Sequence, residues 1–396
     1  MKMIVLKDKK ATFNANHYYE GFYFDFIEFM SSYHKQAFMN PEKCVFIDSG
    51  IPSEIVFAMK LMPIMIETVP TLISSIKAKK DVFESADTYF YNSGTCSFSR
   101  YTLPAFERKE IPLPKAFVST TVCKDMSNNI AMLARKYNIK HYCIDVPYKN
   151  NEESVTYLTK QYKGLIEFLA EISGEPIDWN HINKVLNNSA QVLKYMKAVN
   201  EMRKSQPALF YGGNMLRFRS INTLRGSDEA VDIMKDLYEL MKERSEKHIT
   251  PVQKENMRIL WDGSSPLYER ELFNKLEKEM GAIIVADPLC CFSYLDDLLE
   301  VEDPIESLAR LMLANPLGSN NGKLLAQKVK EYNVDGVIHF GQLNCNVINS
   351  KMYLVKEELK EAGVPLLELT GDLVDQRNAS IEQILTRVEA FVEMLL

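Results

Sequence analysis

The side chains with the most distinctive chemistry are seven cysteines: Cys44, Cys96, Cys123, Cys143, Cys290, Cys291 and Cys345. Thiolates are soft ligands that hold zinc or iron–sulfur clusters. No two of these cysteines form a CxxC pair, which removes the local zinc-ribbon, thioredoxin-like and ferredoxin patterns. A metal bound here must gather its ligands from distant parts of the chain. The competing reading is a set of unpaired thiols in a reducing compartment with no shared task.

Which thiols can meet depends on the elements that carry them. From residue 43 the pattern alternates. "CVFIDSG" reads as a buried strand, and "PSEIVFAMKLM" as a helix with Pro52 in its first turn and Glu54 near its positive end. "TYFYNSG", "AFVST" and "HYCIDV" are further short apolar runs, with the helix "DMSNNIAMLARKYN" before the last. Val155, Leu158, Tyr162, Leu165, Leu169 and Ile172 recur at steps of three and four, predicting a helix that Gly174 ends. After a helical stretch containing "FYGGN", the strands "RILWDGS", "AIIVAD", "VDGVIHF" and "VPLLELTGD" alternate with helices. A last helix opens with the capping box Ser380 to Gln383.

Strands alternating with helical crossovers mean parallel sheets. The expected fold is α/β, with two Rossmann-like domains of small parallel sheets flanked by helices, joined by a helical connector. The expected division is an aromatic-rich N-terminal helical segment at 1–40, a first α/β domain at 41–175, the connector at 176–255 and a second α/β domain at 256–396. In open α/β sheets ligands bind beyond the carboxyl ends of the strands. That rule sorts the cysteines. Cys44 begins a strand and Cys143 lies inside one, so both are expected in the core. Cys96, Cys123, Cys290, Cys291 and Cys345 each follow a strand and could meet at one rim, in the cleft between the domains. Zinc and a redox cluster both remain open on ligand type alone.

Other motifs are weaker. "GSNNGK" at 318–323 is one spacer short of a phosphate loop and follows no strand. No GxGxxG follows a strand, and no GxSxG is present. His339 sits within an expected strand and reads as structural. Arg377 and Arg387, near Asp372 and Asp375, read as surface or interdomain ion pairs. With 46% hydrophobic and 25% charged residues and a net charge of −6, the 396-residue chain has globular composition without the basic surface of a general nucleic-acid binder. No apolar run reaches the roughly 18 residues a bilayer requires, and the start lacks a signal-peptide core. The cytoplasm is the expected compartment.

Taken together, the segments resemble the 2-hydroxyacyl-CoA dehydratase component D family, which includes benzoyl-CoA reductase subunits. The residues that carry the likeness are "IPSEIVFAMKLMPI" at 51–64, "NSGTCSFSR" at 92–100 and "VSTTVCKD" at 118–125. To these add "VDGVIHFGQLNCN" at 334–346 and "LELTGDLVDQRNASIEQILTRVEAFVEML" at 367–395. The resemblance implies that Cys96, Cys123 and Cys345 bind one 4Fe-4S cluster with an open fourth iron position. The loop "ANPLGSNNGK" at 314–323 carries no cysteine, which argues against a double-cubane cluster. Cys290 and Cys291 depart from the pattern, as packing residues or neighbours of the site.

The implied reaction removes water from an (R)-2-hydroxyacyl-CoA to give a 2-enoyl-CoA. A single strongly reducing electron enters the thioester carbonyl, the ketyl radical expels the 2-hydroxyl, the β-proton becomes acidic and the electron is returned. The implied partners are a paralogous dehydratase subunit, a separate ATP-dependent iron–sulfur activator and the acyl-CoA thioester. Glu54 matches the family's Pro-x-Glu position and is expected either to move a proton or hold substrate, or only to stabilise its helix N-terminus. Ser49 is expected to hydrogen-bond substrate or only to shape its turn, and His34 is either a further site residue or part of a solvated helix face. The alternatives are an aryl-CoA reductase subunit, an electron-relay or accessory subunit without turnover, and a zinc-binding α/β protein.

Overall fold

Along β1 (Cys44–Ile47) the side chains of Val45 and Ile47 face one core cluster and those of Cys44 and Phe46 another, and all four are buried. A strand covered on both faces belongs inside a parallel sheet. In the computed structural model, which describes residues 18–70, 84, 87–89, 92, 94–266, 270–291, 302–315 and 322–396, β1 pairs in parallel with β2 (Met62–Met65) and β3 (Ala116–Thr120). β4 (His141–Ile144) pairs with β3, giving the order β2-β1-β3-β4. A second sheet is built from β5 (Met257–Gly263), β6 (Ala282–Ala286), β7 (Gly336–Gln342) and β8 (Leu366–Gly371). Its order, β6-β5-β7-β8, repeats the first, and every pair is parallel. In each sheet the order reverses beside the first strand, so the switch points lie between β1 and β3 and between β5 and β7.

In chain order the helices are α1 (Tyr18–Met39), α2 (Ser53–Ala58), α3 (Ser97–Glu107), α4 (Lys124–Tyr137) and α5 (Glu152–Ser173). The connecting region holds α6 (Trp179–Met202), α7 (Gly212–Phe218) and α8 (Asp228–Glu246). Then come α9 (Arg270–Asn274), α10 (Pro304–Ala314), α11 (Gly322–Glu331), α12 (Asn346–Asn349), α13 (Met352–Glu361) and α14 (Ile381–Leu395). Local chemistry sets several boundaries. The Asn151 side chain accepts from the Ser154 amide and starts α5, and Gly174, at φ 74°, ends it. Ser380 accepts from the Gln383 amide at 3.4 Å and starts α14, whose Ile384, Val388 and Phe391 are buried.

The domains interlock. Ile305, Leu308 and Ala309 of α10 pack into the core on the Val45–Ile47 face of the first sheet. Val374, just after β8, packs into the core on the opposite face. Arg377 pairs with Asp375 at 2.7 Å and reaches Asp87 at 3.1 Å, so the arginine predicted to pair there joins the two halves, whereas Arg387 donates to the Glu368 carbonyl. The "FYGGN" stretch also has a reason. A Cβ on Gly212 would stand 1.8 Å from the Ile284 carbonyl oxygen, so only glycine seats α7 against β6. The buried Glu277 carboxylate accepts from the amides of Gly212, Gly213 and Ile284 at this seam.

Several expectations are corrected. The strand predicted at "TYFYNSG" is absent among its described residues, where Thr88 and Tyr89 form a turn; the rest lies outside them. The missing strand is β2, which holds Pro63 and starts at Met62, the last residue of the helix predicted from Pro52. That helix stops at Ala58 because Lys60, at φ 57°, turns the chain into β2. Proline belongs on edge strands, and β2 is one. Cys143 is exposed, not core, because β4 is the opposite edge. Residues 1–17 of the N-terminal segment and 318–321 of the rejected phosphate loop lie outside the described residues. Among the described residues, no helix is long and apolar enough to cross a membrane.

Candidate functional site

Cys96, Cys123 and Cys345 all line one cavity of about 300 Å³ between the two domains. Each sits at the N-cap of a helix: Cys96 before α3, Cys123 before α4 and Cys345 before α12. Cys123 and Cys345 follow the third strand of their sheets, β3 and β7, beside the switch points. The turn into α12 needs a left-handed residue, and Asn344 supplies it at φ 62°. The Cys345 amide then bonds back to the Gln342 carbonyl at 3.0 Å.

A buried network fixes these turns relative to one another. The Cys96 amide donates to Asp125 Oδ2 at 3.1 Å, tying the start of α3 to that of α4. Ser97 Oγ donates to Asp372 Oδ1 at 2.6 Å, and Gln342 Nε2 donates to the same oxygen at 3.1 Å and to Ser97 Oγ at 3.2 Å. Ser97, Gln342 and Asp372 are all buried. The neighbours of Cys96 and Cys345 are therefore locked together across the domain boundary. A satisfied buried network of this kind specifies one arrangement.

Burial pushes all three thiols up, that of Cys123 to about 12. The first-turn amides of Phe98, Met126, Val347 and Ile348 act the other way, favouring thiolates, although none closes a capping hydrogen bond. Cys96 is raised further by Cys345 and Cys123, so the sulfurs sense each other's charge. Thiols in this state resist ionisation alone and lose their protons against a bound cation. Lys124, Asp125 and Lys351 share the cavity wall, and burial holds the Lys351 ammonium below its ordinary range.

The remaining predicted residues are dispersed. Ser49 is exposed and lines a second cavity of about 100 Å³ that shares Met312 and Asn315 with the first. Glu54 lines neither; it is fully buried, accepts from Ser189 Oγ at 2.6 Å and stands 3.4 Å from Arg225 Nε. Its carboxylate thus meets a cation rather than only a helix terminus. His34 is buried and bonded to the Met30 carbonyl at 2.7 Å, so the solvated-face alternative is wrong. His339 is buried against Asp262 at 2.6 Å. Cys290 does not reach the rim. Its sulfur lies in a closed polar core, accepting from Arg203 Nη1 at 3.1 Å and donating to Asn200 Oδ1 at 3.3 Å. The side chain of Cys291 lies outside the described residues.

Sequence reasoning missed two acids at the rim. Asp48 ends β1 and accepts from the Thr120 amide at 2.5 Å and the Gly50 amide at 2.9 Å. Glu67 follows β2 and accepts from the Ser49 amide at 3.2 Å. Burial raises both carboxyls above their ordinary range, and Asp48 adds to the effect on Glu67. The available signal was an acid directly ending an apolar strand, as in "FID" and "MIE". Tyr162 and Arg225, in the second cavity, gave no local signal.

The thiol set fits an iron–sulfur cluster in donor type, and all three thiols line one cavity. Among the described residues, no three His, Cys, Asp or Glu side chains are arranged to hold a single metal ion. A cluster takes one thiolate per iron and so accepts sulfurs spread further apart than a single zinc ion does.

Comparison with known proteins gives an independent view. A family model described as "2-hydroxyglutaryl-CoA dehydratase, D-component" matches residues 48–395. The chain is 23% identical to the (R)-phenyllactyl-CoA dehydratase alpha subunit of Clostridium sporogenes, over 89% of this chain and 90% of the relative. It is 24% identical to the alpha subunit of lactoyl-CoA dehydratase from Anaerotignum propionicum, over 88% of this chain and 89% of the relative. It is also 24% identical to a benzoyl-CoA reductase subunit of Thauera aromatica, over 72% of each.

Proposed function

The chain belongs to the 2-hydroxyglutaryl-CoA dehydratase D-component family, and from that premise we propose that it is a subunit of an iron–sulfur (R)-2-hydroxyacyl-CoA dehydratase. The observation that carries this reading is the convergence of Cys96, Cys123 and Cys345, contributed by both domains, on one cavity. These three would hold a 4Fe-4S cluster. When bound, the cluster would supply one-electron transfer and an iron position open to a substrate oxygen.

The chain's own residues do the rest. The α3, α4 and α12 N-termini aim first-turn amides at the sulfurs and stabilise negative charge there. Val146, Leu313 and Val347 line the cavity with apolar groups that limit water, and the Lys124 and Lys351 ammonium groups favour an anionic substrate oxygen. Glu54 holds Arg225 and Ser189 in place behind the site. Relatives named as alpha subunits support a multi-subunit enzyme. We assign it a related second subunit, a separate ATP-dependent activator and the cytoplasm. The Thauera aromatica relative supports a second reading, an aryl-CoA reductase subunit.

Assay of the anaerobically purified complex with activator, ATP and candidate thioesters separates these readings. Formation of a 2-enoyl-CoA from a 2-hydroxyacyl-CoA is the expected result. Ring reduction of an aryl thioester without dehydration would favour the second reading, and a colourless, zinc-loaded protein from strictly anaerobic cells would refute both.

A further inference from the structure

We propose that Lys351 is a self-acylation site: a thioester held in the thiol-lined cavity and not turned over transfers its acyl group to the Lys351 amine. This inference rests on the acyl-CoA reading above and adds a covalent modification of the same cavity.

Position carries it. Lys351 is half-buried and lines the cavity together with Cys96, Cys123 and Cys345. It stands at the N-cap of α13, where the aligned peptide dipoles place positive charge and disfavour an ammonium. Leu260 of β5 and Val337 of β7 share a core with Met352 and Val355 of α13. Strand alternation puts Asp262 and His339, two residues further along, on that same face, and the two are partners in register. The Asp262 carboxylate, bonded to His339 Nδ1 at 2.6 Å, therefore lies below the start of α13. Asp262 and Cys345 favour the Lys351 ammonium, but burial opposes it more strongly and holds it below its ordinary range. Lys124 and Asp125 face the same space from the start of α4. A lysine so placed presents an uncharged, nucleophilic amine more readily than one in water does.

A bound thioester brings its carbonyl into the cavity that this amine lines. Proximity of that kind replaces a collision in solution by a step within one complex. The uncharged Nζ attacks the thioester carbonyl carbon. A C–N bond forms, the C–S bond breaks, and the amine proton leaves with the coenzyme A sulfur as the free thiol. Nothing is oxidised or reduced. The amide that remains has no charge, so of the two lysines lining the cavity only Lys124 stays cationic. A thioester that lingers unreacted thus removes one of the groups that favour an anionic oxygen there.

Incubating the anaerobically purified complex with butanoyl-CoA, without activator or ATP, tests this by peptide mass spectrometry. Butanoyl-CoA has no 2-hydroxyl to lose, so it is held without turnover. Butanoylation of Lys351 should exceed that of the exposed Lys124 and Lys356 by about tenfold or more. Lys351→Arg, which keeps the charge, should lose the modified peptide while Lys356 is labelled as before. Calorimetry on the same complex separates the two readings. Butanoyl-CoA that binds but labels the three lysines alike would overturn the acylation site and leave the acyl-CoA reading intact. If neither butanoyl-CoA nor coenzyme A binds, both fall.

Discussion

The two sheets have the same strand order and the same thiol placed after the third strand, yet their other strand ends are built differently. In the first sheet, β1 and β2 end in the buried Asp48 and the half-buried Glu67, which accept backbone amides and whose carboxyls burial pushes up. In the second, β6 ends at Asp287, which pairs with the buried Arg203 guanidinium at 2.7 Å beside Cys290. The outer edges differ too. The outward carbonyl of Pro63 in β2 accepts from the Tyr33 hydroxyl at 3.0 Å, and proline presents no donor there. The outward Ile284 amide of β6 is held by Glu277, and Gly212 seats α7 over the neighbouring carbonyl. Topology decided where a ligand set could assemble. The residues at the strand ends decided that one sheet carries protonatable groups and the other a rigid ion pair.

The comparison can be broken at four points. The largest effect should come from Asp287→Asn, which leaves Arg203 buried and uncompensated and should lower stability by about 3–5 kcal/mol in denaturant unfolding at neutral pH. An effect below about 1 kcal/mol would mean the ion pair does not stiffen the second sheet.

Next comes Glu67. Its folded-state carboxyl is raised to about 8, chiefly by burial and then by Asp48, so the protonated form is favoured in the folded state. Its contribution is fully present below the ordinary carboxylate range near 4.5 and is lost as pH rises through about 8, on the order of a few kcal/mol. Glu67→Gln should therefore remove about one proton's worth of the slope of stability against pH between 5 and 8. An unchanged slope would place that proton elsewhere.

Smaller effects probe the edges. Gly212→Ala forces a methyl against the Ile284 carbonyl and should cost about 1–3 kcal/mol or more, read as a lower unfolding midpoint. Tyr33→Phe removes one hydrogen bond to Pro63 and should cost about 1 kcal/mol. If Tyr33→Phe proved the more damaging, β2 rather than β6 would be the edge that depends on its cover.

Much of the fold was legible because seven strands are continuous apolar runs ended by turn residues. β2 was not, because four residues containing a proline and two methionines carry no strand pattern. The strand-end rule found Cys123 and Cys345, since each follows a buried central strand. It misjudged Cys143, because sequence does not tell an edge strand from a central one. Cys290 stayed open between packing and the rim because its partners, Arg203 and Asn200, stand 87 and 90 residues away. The Glu54–Arg225 and Ser97–Asp372 contacts likewise bridge distant segments, which local periodicity cannot register.

The most direct test of the shared thiol site is iron and acid-labile sulfide per chain in anaerobically purified wild type, Cys345→Ser and Cys143→Ser. If Cys96, Cys123 and Cys345 hold one cluster across the two domains, wild type and Cys143→Ser should carry about four irons, and Cys345→Ser should lose most of them while keeping its fold by circular dichroism. A folded Cys345→Ser protein with the full iron content, or a loss confined to Cys143→Ser, would contradict the account.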